Sequence, residues 1–154
     1  MKIDAINWKI IDCLQQNARQ SNTDIARKVG VTSPAVAERI RKLEDAGIIE
    51  GYQANVSHSE TGHQLKAIIT LRAFMGQLKP FIQKVKSFNE VVNCYRITGN
   101  ENIVMEVVLN DQKHLELFID QLIIYGETRT HIVLSNIIKN NPIIEKNNFS
   151  TLNF

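Results

Sequence analysis

Apolar positions recur every three or four residues through the first fifty positions, and further on they switch between that spacing and a spacing of two. At about 100° per residue, Ile3, Ile6, Ile10 and Leu14 line one stripe of a helix, with Ile11 beside them. "SNTDIARKVG" opens on Ser21 with Asp24 three residues on, a capping-box pattern with a shorter acid. It buries Ile25, Ala26 and Val29 and stops at Gly30. "TSPAVAERIRKLEDAG" takes Thr32 as its cap and accepts Pro34 in a first turn that needs no intrahelical N–H bond. Val36, Ile40 and Leu43 form its apolar stripe, and Gly47 suits the left-handed residue that ends many helices. Pro34, Ala35, Glu38, Arg41 and Lys42 point the other way, with Arg39 on the flank.

A charged helix face is ordinarily a solvated one. Here the small residues at the N-terminal end of the outer face leave room for something large, and only Gly30, Val31 and Thr32 separate this helix from the one before. Two short helices joined by a tight glycine-containing turn make a helix-turn-helix, whose second helix enters the DNA major groove. The first helix covers the pair, and "GIIEGYQANV" has the extended character of a short wing. The predicted unit is a winged helix.

Near "NVSHSETGHQ" the pattern turns from helical to extended. "KAIITLRAF" (66–74) alternates as a strand, and "KPFIQKVKSF" puts Phe81, Val85 and Phe88 on one helix face. "VVNCYRIT" and "NIVMEVVL" are strands flanking the turn "TGNEN". "DQKHLELFIDQLI" is a helix buried through Leu115, Phe118, Ile119 and Leu122, and "TRTHIVLSNIIK" is a long last strand. The order βαββαβ is ferredoxin-like, so the fold class is α+β. Two helices cover one sheet face, and apolar residues in both alternation sets call for a second sheet on the other, which a dimer supplies. The expected segments are residues 1–60 (winged helix-turn-helix with linker), 61–139 (ferredoxin-like domain for ligand sensing and oligomerisation) and 140–154 (tail). That asparagine-rich tail is expected to be mobile, although its Ile, Leu and Phe side chains could pack on a neighbour.

Composition adds little: 44% hydrophobic and 22% charged residues are ordinary for a globular chain of 154. No apolar run approaches the ~18 residues of a membrane helix and no secretory signal is recognised, so a cytoplasmic protein without a membrane partner is expected. Cys13 and Cys94 lie far apart without metal-ligand spacing and are read as reduced. The net charge of +2 matters less than its placement. Within residues 18–43, Arg19, Arg27, Lys28, Arg39, Arg41 and Lys42 face only Asp24 and Glu38. A single module with so modest a positive surplus binds DNA poorly, so affinity has to come from several copies acting together.

In order and spacing, "IDAINWKIIDCLQQNARQSNTDIARKVGVTSPAVAERIRKLEDAGIIEGYQANV" resembles the N-terminal signature of the Lrp/AsnC transcription factors. "TRTHIVLSNIIK" is similar to that family's closing strand, and the resemblance runs to about residue 139. It implies a bacterial or archaeal regulator that binds double-stranded DNA, dimerises through its ferredoxin-like domain and commonly stacks dimers into octamers. By the family pattern, Thr32, Ser33, Pro34, Ala35, Glu38, Arg39, Arg41 and Lys42 fall on or beside the recognition helix. Ser33, Pro34, Ala35 and Glu38 are then expected near base edges, and Arg39, Arg41 and Lys42 at phosphates or guanine. Glu38 is equally placed to accept from cytosine N4 or to pair with Lys42 along the helix.

Family members that sense amino acids use a Gly-x-x-Asp loop between the second and third strands. Here it reads Gly99, Asn100, Glu101, Asn102, so an amide stands at the acid position and Glu101 is expected to point elsewhere. An amide can hydrogen-bond an ammonium but does not neutralise it. Gly99 also suits a plain hairpin turn. Arg96, Thr128 and Thr130 fall near the pocket in the family's layout. The effector is therefore an amino acid held differently, another small metabolite, or absent; in the last case the chain is an architectural DNA-binding protein. Catalysis is not expected: His58, His63, His114 and His131 are scattered, and neither a Gly-x-Ser-x-Gly motif nor a phosphate-cradling glycine loop occurs. No cofactor or metal is implied.

Overall fold

A computed structural model describes residues 3–146, which divide into two compact units. The first holds the described residues up to 54 together with those from 138 onward; the second runs from 55 to 137.

In the first unit, helices α1 (Ala5–Gln16), α2 (Asn22–Val29) and α3 (Ser33–Asp45) begin where caps allow. Asp4 Oδ1 accepts from the Asn7 amide (2.7 Å), Ser21 Oγ from the Asp24 amide (3.1 Å) and Thr32 Oγ1 from the Ala35 amide (3.4 Å). Gly30, at φ 77°, turns the chain out of α2 in a conformation that residues with a Cβ adopt at a cost. The core is Ile10, Ile11, Cys13, Ile25, Ala26, Val36 and Leu43, with Ile3, Ile6, Leu14, Val29 and Ile40 half-buried around it. Directional caps thus fix where each helix starts, and a shared apolar cluster holds the three together.

The expected wing forms no strand. Ile48 and Ile49 fold back on the Leu43 carbonyl, Tyr52 donates to Glu44 Oε1 (2.9 Å), and residues 50–57 belong to no strand. An extended sequence becomes a strand only where a second one offers backbone groups to pair with. Beside Glu44, partial burial pushes the Tyr52 hydroxyl up to about 12.

The second unit is one antiparallel sheet with two helices on one face. In chain order come β1 (Leu65–Ala73), α4 (Leu78–Lys84) continued by a 3₁₀ turn (Val85–Ser87), β2 (Val91–Arg96), β3 (Ile103–Leu109), α5 (Gln112–Leu122) and β4 (Gly126–Ile132). Spatial order is β2-β3-β1-β4, the ferredoxin-like arrangement the alternation predicted. Ala67, Ile69 and Leu71 alternate inward with Ile103, Met105, Val107 and Leu109 against Phe81, Val85, Phe88, Leu115, Phe118 and Leu122. Phe88 meets Phe118 edge to face at 5.3 Å. The opposite face carries Ile68, Thr70 and Arg72 on β1, and Val104, Glu106 and Val108 on β3. Tyr95 of β2 and Arg129 of β4 extend it at the edges.

Three boundaries differ from expectation. The division falls after residue 54 rather than 60, because a turn closed by Thr61 and His63 amides on Ser57 and His58 carbonyls leads directly into β1. β4 starts at Gly126 and stops at Ile132 instead of running over 128–139. Val133 still donates to Lys66, but β1 begins at Leu65 and offers nothing beyond it. Residues 138–146 are not a free tail: Gln15 Nε2 donates to the Ile143 carbonyl (3.0 Å), and the Ile143 amide donates to Gln15 Oε1 (2.8 Å). Ile143, Ile144 and Glu145 line a hollow on α1 with Ala5, Trp8, Lys9 and Asp12. The expectation that Phe149, Leu152 and Phe154 pack on a neighbour lies outside the described residues.

Candidate nucleic-acid interface and effector loop

The outer side of α3 follows from its phase. With Val36 and Leu43 wholly buried, Thr32, Pro34, Glu38, Arg41 and Lys42 are exposed, and Ser33 and Ala35 are half-buried on the same end. Ala37, not among the expected contact residues, is exposed three residues after Pro34 and four before Arg41, on the flank of that face next to Ile40. Its signal was available: like Ser33 and Ala35, it is a small residue left over once the apolar stripe is assigned.

The cations of α3 each find a carboxylate. Lys42 pairs with Glu38 at 2.7 Å and Arg41 with Asp45 at 3.0 Å, both exposed and both one turn apart. The Lys42 ammonium holds the Glu38 carboxyl below its ordinary range. Arg39, expected at the DNA backbone, turns its guanidinium toward α1. Its Nη1 donates to Asp4 Oδ2 (2.7 Å) and to Asn7 Oδ1 (2.8 Å), both on α1 or its cap. On α2, Arg27 lies 3.5 Å from Asp24, and Lys28 Nζ donates to Gln20 Oε1 (2.5 Å). These two cations border a groove of about 550 Å³ shared with Gln16, Asn17 and Gln20. Arg19 is exposed just before it.

In the second unit, the loop between β2 and β3 is pinned at Asn102. Its amide donates to the Leu71 carbonyl (2.9 Å), its carbonyl accepts from Ile97 (2.9 Å), and its side-chain Oδ1 accepts from Ala73 (2.8 Å). An aspartate could make the same acceptor bonds, so the amide here serves as a strand tie. Next to it lies a hollow of about 150 Å³ lined by Thr70, Arg72, Asn100, Glu101, Glu127, Thr128 and Arg129. Of the expected effector residues, the hollow gathers Asn100, Glu101 and Thr128. Arg96, Gly99, Asn102 and Thr130 do not line it. Arg96 lies exposed on the edge strand β2, opposite Ile103, and Thr130 pairs across from the core residue Ile69.

Glu101, expected to point elsewhere, turns into this hollow and takes Arg129 Nη1 at 3.1 Å, while Arg72 approaches Glu127 at 3.4 Å. Arg72, Glu127 and Arg129 were missed because their meeting depends on strand register. Arg72 lies opposite Glu127 and Thr70 opposite Arg129, a pairing no local pattern announces. Among the described residues, no group of three or more His, Cys, Asp or Glu chains is placed to hold a metal ion, and no helix is long and apolar enough to cross a membrane.

Capped helices that turn a small-residue, charge-edged face outward, followed by a βαββαβ sheet with a polar loop hollow, define a helix-turn-helix transcriptional regulator with a ligand-binding domain. The family description "Winged helix-turn-helix DNA-binding" matches residues 3–50, and "Lrp/AsnC ligand binding domain" matches residues 66–143. An uncharacterized HTH-type transcriptional regulator of Bacillus subtilis, YezC, is 34% identical over 87% of this chain and 95% of its own. The solved structure of B. subtilis LrpC, 29% identical, covers 90% of this chain and 99% of its own with a TM-score of 0.86. A Neisseria meningitidis transcriptional regulator solved with L-Met shares the fold at a TM-score of 0.87 and 23% identity, covering 92% of this chain and 96% of its own. The chain belongs to the Lrp/AsnC family of transcriptional regulators.

Proposed function

We propose that this regulator binds double-stranded DNA as a homo-oligomer in the cytoplasm, and that a small α-amino acid in the β2–β3 loop hollow modulates it. The hollow carries the reading. A zwitterion needs both signs of charge within a few ångströms, and Arg72 and Arg129 stand against Glu101 and Glu127 around about 150 Å³. Glu101 supplies beside the loop the negative charge that Asn102 lacks. The residents are already paired at 3.1 and 3.4 Å, so a ligand's carboxylate and ammonium exchange with existing partners and leave no charge bare. The Neisseria regulator, solved with L-Met, gives an amino-acid ligand a precedent in this fold.

On the DNA side, Ser33, Pro34, Ala35, Ala37 and Glu38 approach base edges while Arg41 and Lys42 hold phosphates. Lys42 releases Glu38 to do so, and an exposed pair of that kind costs about 1 kcal/mol or less to break. Assembly follows from uncovered apolar surface. Ile68, Val104, Val108 and Tyr95 sit on the open sheet face, and Leu134, Ile137 and Ile138 are exposed after β4. A second copy covers both, and stacked dimers, up to an octamer, bring enough weak modules onto one duplex.

A thermal-shift panel of the twenty amino acids on the full chain and on Glu101→Gln tests the effector. A ligand at about 100 times its Kd stabilises the folded state by roughly 2.7 kcal/mol. One amino acid that raises the melting temperature of the unaltered chain and not of Glu101→Gln is the expected result. A flat panel overturns it in favour of an effector-independent architectural protein, a reading favoured by the use of Asn102 as a strand tie.

A further inference from the structure

The recognition helix packs on α1 and α2 through Val36 and Leu43, whose contacts are apolar. Burial of that stripe sets which face of α3 turns outward, but apolar contacts carry no direction and leave the fine rotation about its axis to contacts that do. Rotation matters here, because adjacent residues on a helix are about 100° apart. A fraction of that angle moves Pro34 and Glu38 off any base edge they face.

The directional contact between α3 and α1 is made by Arg39. Asn7 is the one buried polar residue of the described chain, 4% exposed, and its Oδ1 accepts from Arg39 Nη1 at 2.8 Å. Asp4 divides its carboxylate: Oδ1 caps α1 through the Asn7 amide, and Oδ2 takes Arg39 at 2.7 Å. Both lengths fall in the range of strong, charge-assisted bonds. The side chain of Arg39 is 30% exposed, against 66% for Arg41 and 55% for Lys42. In accord with this, the Asn7 amide and the Arg39 guanidinium hold the Asp4 carboxyl below its usual range.

We infer that Arg39 is a positioning residue, not a DNA contact: through Asp4 and Asn7 it sets the rotation of α3 against the start of α1 and thereby the register of the reading face. Because its charge is answered inside the module, it adds little to the attraction for phosphate. The inference rests on α3 being the DNA-reading helix. It predicts opposite signs from a phosphate contact when the negative partner is removed.

The test uses the full-length protein and two duplexes of equal length, one selected by the unaltered protein from a random pool and one scrambled. Arg39→Ala removes the donor, Asp4→Ser keeps a capping hydroxyl but removes the carboxylate, and Asn7→Ala removes the second acceptor without changing charge. Each is expected to lower the preference for the selected duplex by about tenfold, the discrimination of one good base contact. The salt dependence on the scrambled duplex should stay unchanged, and the double variant Arg39→Ala/Asp4→Ser should be no worse than either single one. Circular dichroism checks the fold; if Arg39→Ala fails to fold, the other two variants carry the comparison.

The inference is overturned if Asp4→Ser tightens both duplexes while Arg39→Ala weakens both and lowers the salt slope by about 0.9, the signature of one lost phosphate contact. It is overturned equally if the preference stays unchanged in every folded variant. If the unaltered protein selects no duplex at all, the DNA-reading assignment of α3 falls, and this inference with it.

Discussion

Gly126 opens β4 against the end of β1, and a Cβ built there would lie 2.3 Å from the Arg72 carbonyl oxygen, 2.8 Å from its carbon and 2.9 Å from Ala73 Cα. All three atoms are backbone, so no side chain can swing aside. Restoring ordinary contact, which begins near 3.4 Å, requires the strands to part by about 1 Å. Overpacking of this kind costs about 1–3 kcal/mol. For a unit of this size, 1 kcal/mol shifts the melting temperature by roughly 4–8 °C, so Gly126→Ala should melt about 5–20 °C lower. The same displacement carries Glu127, Thr128 and Arg129 away from Arg72 and Glu101, so any ligand-induced stabilisation should also vanish. Gly99→Ala is the control. It meets nothing within 4 Å but sits at φ 118°, and its cost should stay nearer 1 kcal/mol. Differential scanning calorimetry of the two variants decides the matter: a Gly126→Ala protein melting within 2 °C of the parent would refute the close approach of β1 and β4.

Leu43→Ala empties a wholly buried position of α3 and should cost about 2–5 kcal/mol, read as loss of helical signal from the first unit well before the second melts. Lys66 and Asn93 hold the Glu106 carboxyl below the ordinary glutamate value of roughly 4.3. The stability it lends is therefore present above about that pH and lost as pH falls through the lowered value, so Glu106→Gln should flatten the acid limb of a stability-against-pH curve. Trp8 is the chain's only tryptophan and lines the hollow that Ile143 and Ile144 share. Gln15→Ala combined with Ile144→Ser should shift its emission to the red, and an unchanged spectrum would detach residues 143–145 from α1.

What the sequence makes legible is whatever local chemistry decides. The starts of α2 and α3 are written in Ser21 and Thr32, the stop of α2 in Gly30, and the inward faces in the three-and-four spacing of Val36, Ile40 and Leu43. The strand alternation of residues 103–109 reappears as strict burial of every second residue. Non-local choices stay hidden. Arg39 on a helix flank reads as a free cation until Asp4, 35 positions away, is seen to receive it. The end of β4 is set by where β1 begins, so Val133 to Lys139 look like strand and are not. The hollow beside the β2–β3 loop is half legible for the same reason. The β2–β3 loop announces itself, whereas Arg72, Glu127 and Arg129 join it only through the register that Gly126 permits.

The outward face of α3 is the surface proposed to read DNA, and Ala37→Glu tests that with one substitution. Ala37 is exposed, so glutamate there keeps the core and a good helix former while placing bulk and negative charge on the outward face beside Pro34 and Arg41. Fluorescence anisotropy of the selected and scrambled duplexes should show the full chain preferring its selected site by at least about 10³. The substituted chain should lose that preference at an unchanged melting temperature. Undiminished, site-selective binding by Ala37→Glu would contradict the account and move the DNA-reading surface away from α3.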